Sequence, residues 1–246
     1  MNTTPTPVAL VTGVDTGLGL EVARQLSLTG AVVLVAARTA EAAKDAVVDL
    51  PALEPLGVDL DVTDDESVHA AVAAVVASRA RLDILVNTTA HSRPGDREPT
   101  EREPWAGTVT RADLEQARQL LDVALFGAWR LTRAFLPLLL RSDHPRVVNV
   151  GSGAGSHGDP VLGLGARAGA DAAYGIGAAA LNALTSLLAA ELATGGILVN
   201  TVCPDSPSAG GERTAAASAP GVVWAATLPD DGPTGGFFRD GATLPW

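Results

Sequence analysis

The sequence predicts one α/β domain on a doubly wound, mostly parallel sheet of about seven strands, in the order 3-2-1-4-5-6-7, with helices on both faces. Three observations carry this. Apolar runs of strand length alternate with segments of helical periodicity along the whole chain of 246 residues. The first run opens into a glycine-rich turn and then a helix. No internal repeat or low-complexity linker divides the chain.

Strands are expected at 8–12, 32–36, 55–59, 83–87, 146–150, 197–202 and 234–238. Helices are expected at 18–29, 40–50, 64–79, 111–141, 172–194 and 218–227. Thr63, followed by Asp64, Asp65 and Glu66, gives the third helix a capped start. Pro137 should bend the long fourth helix or mark its last turns. Residues 91–110 are rich in Pro, Arg, Glu and Gly, and residues 153–171 are mostly Gly and Ala. Both follow strand C-terminal ends, where open α/β sheets bind ligands, so they read as inserted loops walling a substrate pocket. Tolerated surface insertion is the alternative.

Composition narrows the function. The chain is 47% hydrophobic, but its most apolar stretches, 120–140 and 175–195, are interrupted by Arg130, Arg133, Asn182 and Glu191. They read as buried amphipathic helices rather than membrane spans. Met1 to Pro7 lacks the basic and apolar regions of a signal peptide. The single cysteine, Cys203, excludes an internal disulfide and fits a reducing, cytoplasmic compartment. A net charge of −11 without a basic cluster argues against nucleic acid and anionic membranes, and for a small-molecule substrate. The histidines and the cysteine show no metal-ligand spacing, so no metal is expected. A homo-oligomer would use the helices at 111–141 and 172–194.

The chemistry-bearing residues fall in two groups. Val8-Ala9-Leu10-Val11-Thr12 runs into Gly13-Val14-Asp15-Thr16-Gly17-Leu18-Gly19 and then a helix, the context in which a dinucleotide pyrophosphate meets a helix N-terminus. Ser152 follows Val147-Val148-Asn149-Val150-Gly151, and Tyr174 opens Tyr174-Gly175-Ile176-Gly177-Ala178-Ala179-Ala180-Leu181-Asn182. Tyr174 is the only tyrosine and Lys44 the only lysine.

In this order the motifs resemble the short-chain dehydrogenase/reductase family, a Rossmann-type fold, and the ending 227–240 is similar to carbonyl-reductase-like members. The resemblance implies a nicotinamide dinucleotide at Gly13, Thr16, Gly17, Leu18 and Gly19, with Asp61 and Val62 at the adenine and Asn87 ending the fourth strand. Arg38 would face the 2′-phosphate of NADP(H), which its planar fork suits. Asp15-Thr16 stands where reductases of this type often carry Asn-Lys, placing an anion near the phosphates. Ala90 replaces a family glycine and could narrow the nicotinamide pocket.

The resemblance also implies catalytic roles for Ser152 and Tyr174, serine orienting a carbonyl and tyrosine moving its proton. The family's lysine and asparagine partners become Ala178 and Ala124, and its Pro-Gly loop becomes Pro204-Asp205. A free tyrosine, with a pKa near ~10, is a poor base at neutral pH without a neighbouring cation. His91 and His157 are either substitute acid–base groups or solvated loop residues. Three readings compete. One is an enzyme repurposed for non-redox cyclisation, dehydration or isomerisation of a small organic molecule, such as a secondary metabolite. The others are an NADP(H)-dependent carbonyl reductase and a non-catalytic binding subunit.

Overall fold

The computed structural model describes residues 5–15, 17–88, 107–166, 171–204 and 213–246. In chain order the elements begin β1 (Val8–Thr12), α1 (Gly17–Ser27), β2 (Val32–Ala36), α2 (Ala40–Ala46), β3 (Leu53–Pro55), α3 (Asp65–Ser78) and β4 (Ile84–Asn87). There follow α4 (Leu114–Leu121), a π-helical turn (Asp122–Gly127), α5 (Ala128–Leu139), β5 (Arg146–Val150), a 3₁₀ turn (Gly153–Gly155) and α6 (Ala172–Leu192). A second 3₁₀ turn (Ala193–Gly195), β6 (Leu198–Val202), α7 (Ala215–Ala226), β7 (Phe237–Arg239) and β8 (Ala242–Thr243) complete the chain.

The strands form one sheet in the order β3-β2-β1-β4-β5-β6-β7-β8. All pairs are parallel except β7–β8. Every residue of β1, β4, β5 and β6 is buried, as a parallel sheet covered on both faces requires. Alternation along the strands makes two cores. Leu10, Leu85, Val147 and Val199 join α3, α5 and α6 on one face. Ala9, Val11, Val86 and Val148 join α1, α2 and α7 on the other. Two residues further along, Asn87, Asn149 and Gly151 therefore belong to the α6 face at the C-terminal ends of their strands.

Several expectations need correction. The third strand is Leu53–Pro55, not 55–59. Only Leu53 in it is buried, and residues after it follow β2 by single bonds such as Leu56 N–H to the Val35 carbonyl. The last parallel strand is Phe237–Arg239 rather than 234–238, and a short antiparallel β8 was not foreseen. The segment 111–141 is not one helix. It starts after Asp113, whose side chain caps Glu115 and Gln116, and is interrupted by the π turn. Pro137 does mark the last turn, that of α5, as expected. Asp64, not Thr63, caps α3 by accepting from the Glu66 and Ser67 amides. The stretch Ala172–Gly195 is long and apolar enough to cross a membrane, but half of its most apolar window is buried within the protein.

Candidate active site

The glycine turn is shaped by close backbone approach. Gly13 has φ +65°, and a Cβ there would run into the Thr88 carbonyl. A Cβ on Gly19 would meet the Gly13 carbonyl, and at 2.8 Å the Thr88 hydroxyl, which itself hydrogen-bonds the Thr12 carbonyl. These contacts seat α1 tightly on the end of β1. Nothing lies closer to a Cβ built on Gly17 than Ala215 at 3.8 Å, and the first turn of α1 holds no acidic residue. The start of α1, with its positive helix end and no acidic side chain in the first turn, fits a pyrophosphate beside the Gly17 and neighbouring amides. Leu18 is half-buried beside them; Thr16 lies outside the described residues.

The other residues expected at an adenosine make contacts within the protein. Arg38 donates from Nε to Asp15 Oδ2 at 3.0 Å. Asp61 is exposed and its Oδ1 accepts from the Thr63 amide and hydroxyl at 2.8 and 2.7 Å. Val62 packs on the π turn, where a Cβ at Gly127 would come within 2.6 Å of it. Arg130 fastens the same corner, donating to the Val62 carbonyl and pairing with Asp122 at 2.8 Å and Asp65 at 3.2 Å.

Beneath the site runs a buried polar ladder. Asn87 donates to Asn149 Oδ1 at 2.8 Å, Asn149 donates to Thr185 Oγ1 at 2.9 Å, and Thr201 donates to the same hydroxyl at 2.7 Å. It ties β4, β5 and β6 to α6 just below Ser152. Asn182, one turn before Thr185 on α6, is buried above Gly151, and its carboxamide makes no hydrogen bond to the described residues.

Ser152 caps the Gly153–Gly155 turn, its Oγ accepting from the Ala154 amide at 3.2 Å. That turn lies on the first turns of α6. A Cβ on Gly175 would be 3.1 Å from the Ala154 carbonyl, and one on Gly155 would be 2.8 Å from the Ala178 Cβ. These glycine contacts bring the segments carrying Ser152 and Tyr174 together; both side chains are buried. Ala178 and Ala124, at the positions expected for lysine and asparagine, are also buried, at 2% and 1% exposure. Neither can supply a cation or a hydrogen bond from its side chain.

The described part of the segment after Ser152 is held by hydrogen bonds and packing against the rest of the fold. Ser156 donates to the Pro245 carbonyl and accepts from the Gly158 and Asp159 amides. Asp159 Oδ1 receives the Val161 and Leu162 amides, and its Oδ2 pairs with Arg239 at 3.0 Å. Burial opposes the Asp159 charge. The two amides and the guanidinium outweigh it and hold the carboxyl below its ordinary range. Arg239 also reaches Cys203 Sγ at 3.5 Å, which accepts the Gly153 amide at 3.1 Å. Leu162 and Leu164 then lie against Gly153 and Gly175. His157 is exposed on this segment, whereas His91, Ala90, Asp205 and most of 91–110 lie outside the described residues.

Sequence reasoning singled out Asp15 and Arg38 separately but not their pairing. It missed Arg239 and the buried Asn182. The charged residue in Phe237-Phe238-Arg239, within an apolar strand, was the available signal for the former. No group of three or more His, Cys, Asp or Glu among the described residues could hold a metal.

Comparison with known proteins agrees with this architecture. The sequence model of the short chain dehydrogenase family matches residues 7–214. The short-chain dehydrogenase anuI of Penicillium roqueforti is 34% identical over 80% of this chain and 77% of its own length. Salutaridine reductase of Papaver bracteatum is 30% identical, covering 96% of this chain and 94% of the relative. The crystal structure of NADPH-bound carbonyl reductase from chicken fatty liver superposes with a TM-score of 0.78 over 99% of this chain and all of that one, at 22% identity, and thus shares the fold. The glycine turn, the sheet order and these likenesses together establish that this chain belongs to the short-chain dehydrogenase family.

Proposed function

We propose that this protein is an enzyme acting on an oxygen-bearing small organic substrate through Tyr174 and Ser152, by acid–base chemistry without net hydride transfer. The observation that carries the reading is selective loss. The serine and tyrosine segments are held together by the Gly155–Ala178 and Gly175–Ala154 contacts, while the expected lysine and asparagine positions are buried alanines. Ser152 orients a carbonyl or hydroxyl oxygen by hydrogen bonding. Tyr174 Oη donates a hydrogen bond, and then its proton, to that oxygen as it gains charge in enolisation, ring closure or loss of water; the proton released from the substrate's carbon or attacking hydroxyl in the same turnover returns to Oη, so no proton is gained or lost overall. A neutral phenol serves this role and does not need the cation that a tyrosinate base needs. The wall from Gly153 to Leu164, fixed by Asp159 and Ser156, shapes the pocket and orients the substrate.

The second reading is a nicotinamide-dependent ketone reductase, favoured by the names of the relatives and by the glycine turn. Gly13, Gly17 and Gly19 would hold the dinucleotide, which supplies hydride when bound. One experiment separates the two. A panel of ketones, enones and β-hydroxy ketones is incubated with the protein, with and without NADPH or NADH. Conversion that proceeds without dinucleotide and is lost in Tyr174→Phe is the expected result. Dinucleotide oxidation stoichiometric with product establishes the reductase instead. Conversion unchanged in the Tyr174→Phe, Ser152→Ala double variant removes both residues from either scheme.

A further inference from the structure

The end of β2 presents the arginine expected to read a 2′-phosphate, and the glycine turn presents a carboxylate to that same arginine. Asp15 Oδ2 accepts from Arg38 Nε at 3.0 Å; the Arg38 side chain is 87% exposed and that of Asp15 only 19%. The guanidinium therefore stands in solvent while the carboxylate is set into the turn. The turn itself is pinned, because the neighbouring Val14 amide donates to the Ala36 carbonyl at 3.3 Å. Other carboxylates border the same corner. Asp59 accepts the Ala40 amide at 2.8 Å, and Glu41 lies in the first turn of α2.

We propose that Asp15 is a specificity-determining residue of the dinucleotide site, the built-in counter-ion of Arg38 that competes with an incoming 2′-phosphate. The inference rests on the glycine turn binding a dinucleotide. Two effects of Asp15 oppose each other. By holding Nε it orients the arginine and leaves the two terminal amino groups free for phosphate. An exposed ion pair of this kind contributes only a few-fold to binding. Against that, a 2′-phosphate carries nearly two negative charges and would sit well within a Debye length, about 8 Å, of a fixed carboxylate. Repulsion is the larger effect. A ribose with a free 2′-hydroxyl meets no such cost, and its hydroxyl can donate to the carboxylate, as ribose hydroxyls do to acidic residues in NAD sites. The arginine alone would indicate NADP(H); the pair accepts NADH at least as readily.

The test is calorimetric titration of NADPH and NADH into the wild-type protein, Asp15→Asn, Arg38→Ala and the double variant, at low and physiological salt. Both residues are at the surface, and a thermal melt of each variant checks folding. Wild type should bind the two nucleotides within about threefold of each other. Asp15→Asn should tighten NADPH about tenfold, with a smaller change for NADH and a gain that shrinks as salt rises. In the Arg38→Ala background the same substitution should shift NADPH no more than NADH. An NADPH-to-NADH ratio unchanged by Asp15→Asn overturns the role of Asp15 while leaving the dinucleotide site standing. Failure of all four proteins to bind either nucleotide overturns both.

Discussion

Gly155 lies so close to Ala178 that a Cβ on the glycine would stand 2.8 Å from the alanine Cβ, and closer still to the helix backbone beside it. The Ser152 turn and α6 are therefore packed backbone to backbone. Substituting Gly155→Ala forces the turn off the helix. We expect a destabilisation of about 1–3 kcal/mol in urea unfolding, the usual cost of overpacking. Any activity that needs Ser152 and Tyr174 together should fall more than stability does.

Restoring a cation tests what the alanine removes. Tyr174 is the only tyrosine, so ring-labelled tyrosine gives a single carbon resonance and its titration is read without interference. In Ala178→Lys an ammonium enters one helical turn from Tyr174. The titration midpoint should move down relative to wild type. An unmoved midpoint in a folded variant would mean that position 178 does not govern the phenol.

How much of this was legible in the sequence depends on range. The strands β1, β2 and β5 were readable to the residue because both faces are covered and the runs are dominated by Val, Leu and Ala, with few polar interruptions such as Arg146 and Asn149. β3 was misplaced because only Leu53 in it is buried, which leaves almost no apolar pattern. The π turn left no signature, because one added residue per turn is a matter of backbone bonding rather than composition. The glycine turn, Ser152 and Tyr174 are local motifs and were found. The Asp159–Arg239 pair joins residues 80 apart, and only the fold makes it one unit. The Asp15–Arg38 contact has the same character on a shorter span.

We propose that a homo-oligomer would use the outer faces of the π turn, α5 and α6. Phe126 and Trp129 stack at 6.4 Å between ring centroids yet remain 45% and 43% exposed, and Leu187 on α6 is 69% exposed. Side chains of this size in solvent are a cost that a second copy would remove. Sedimentation of wild type should show a dimer or higher species. Trp129→Glu combined with Leu187→Glu should shift it to monomer with little change in the unfolding midpoint at low protein concentration.

Acid should loosen the pocket wall before it unfolds the sheet. Asp159 is buried, which disfavours its charge, but the Leu162 and Val161 amides and Arg239 depress its titration below the ordinary carboxylate range. A group with a depressed folded value binds its proton less readily in the folded than in the unfolded state. Its contribution to stability is therefore full above the unfolded carboxylate value, near ~3.9, and is lost as pH falls through the folded one. Asp159→Ala leaves Arg239 largely buried with the Cys203 sulfur as its remaining side-chain partner. It should cost about 3 kcal/mol at neutral pH, the lower end for breaking a buried pair. The variant should also lose the part of the acid-induced stability change below pH ~4 that Asp159 carries, while the parts from Glu21 and Asp230, also lowered, remain. Hydrogen exchange locates the effect. The Val161 and Leu162 amides, bound to Asp159 Oδ1 at 2.9 Å each, should exchange faster in Asp159→Ala at all pH values. In wild type they should do so only as Asp159 takes up its proton. Amides of β5, such as Val148, should keep their protection in both proteins. Equal loss of protection in the wall and in β5 would show that Asp159 supports the whole sheet rather than the wall over Ser152 and Tyr174.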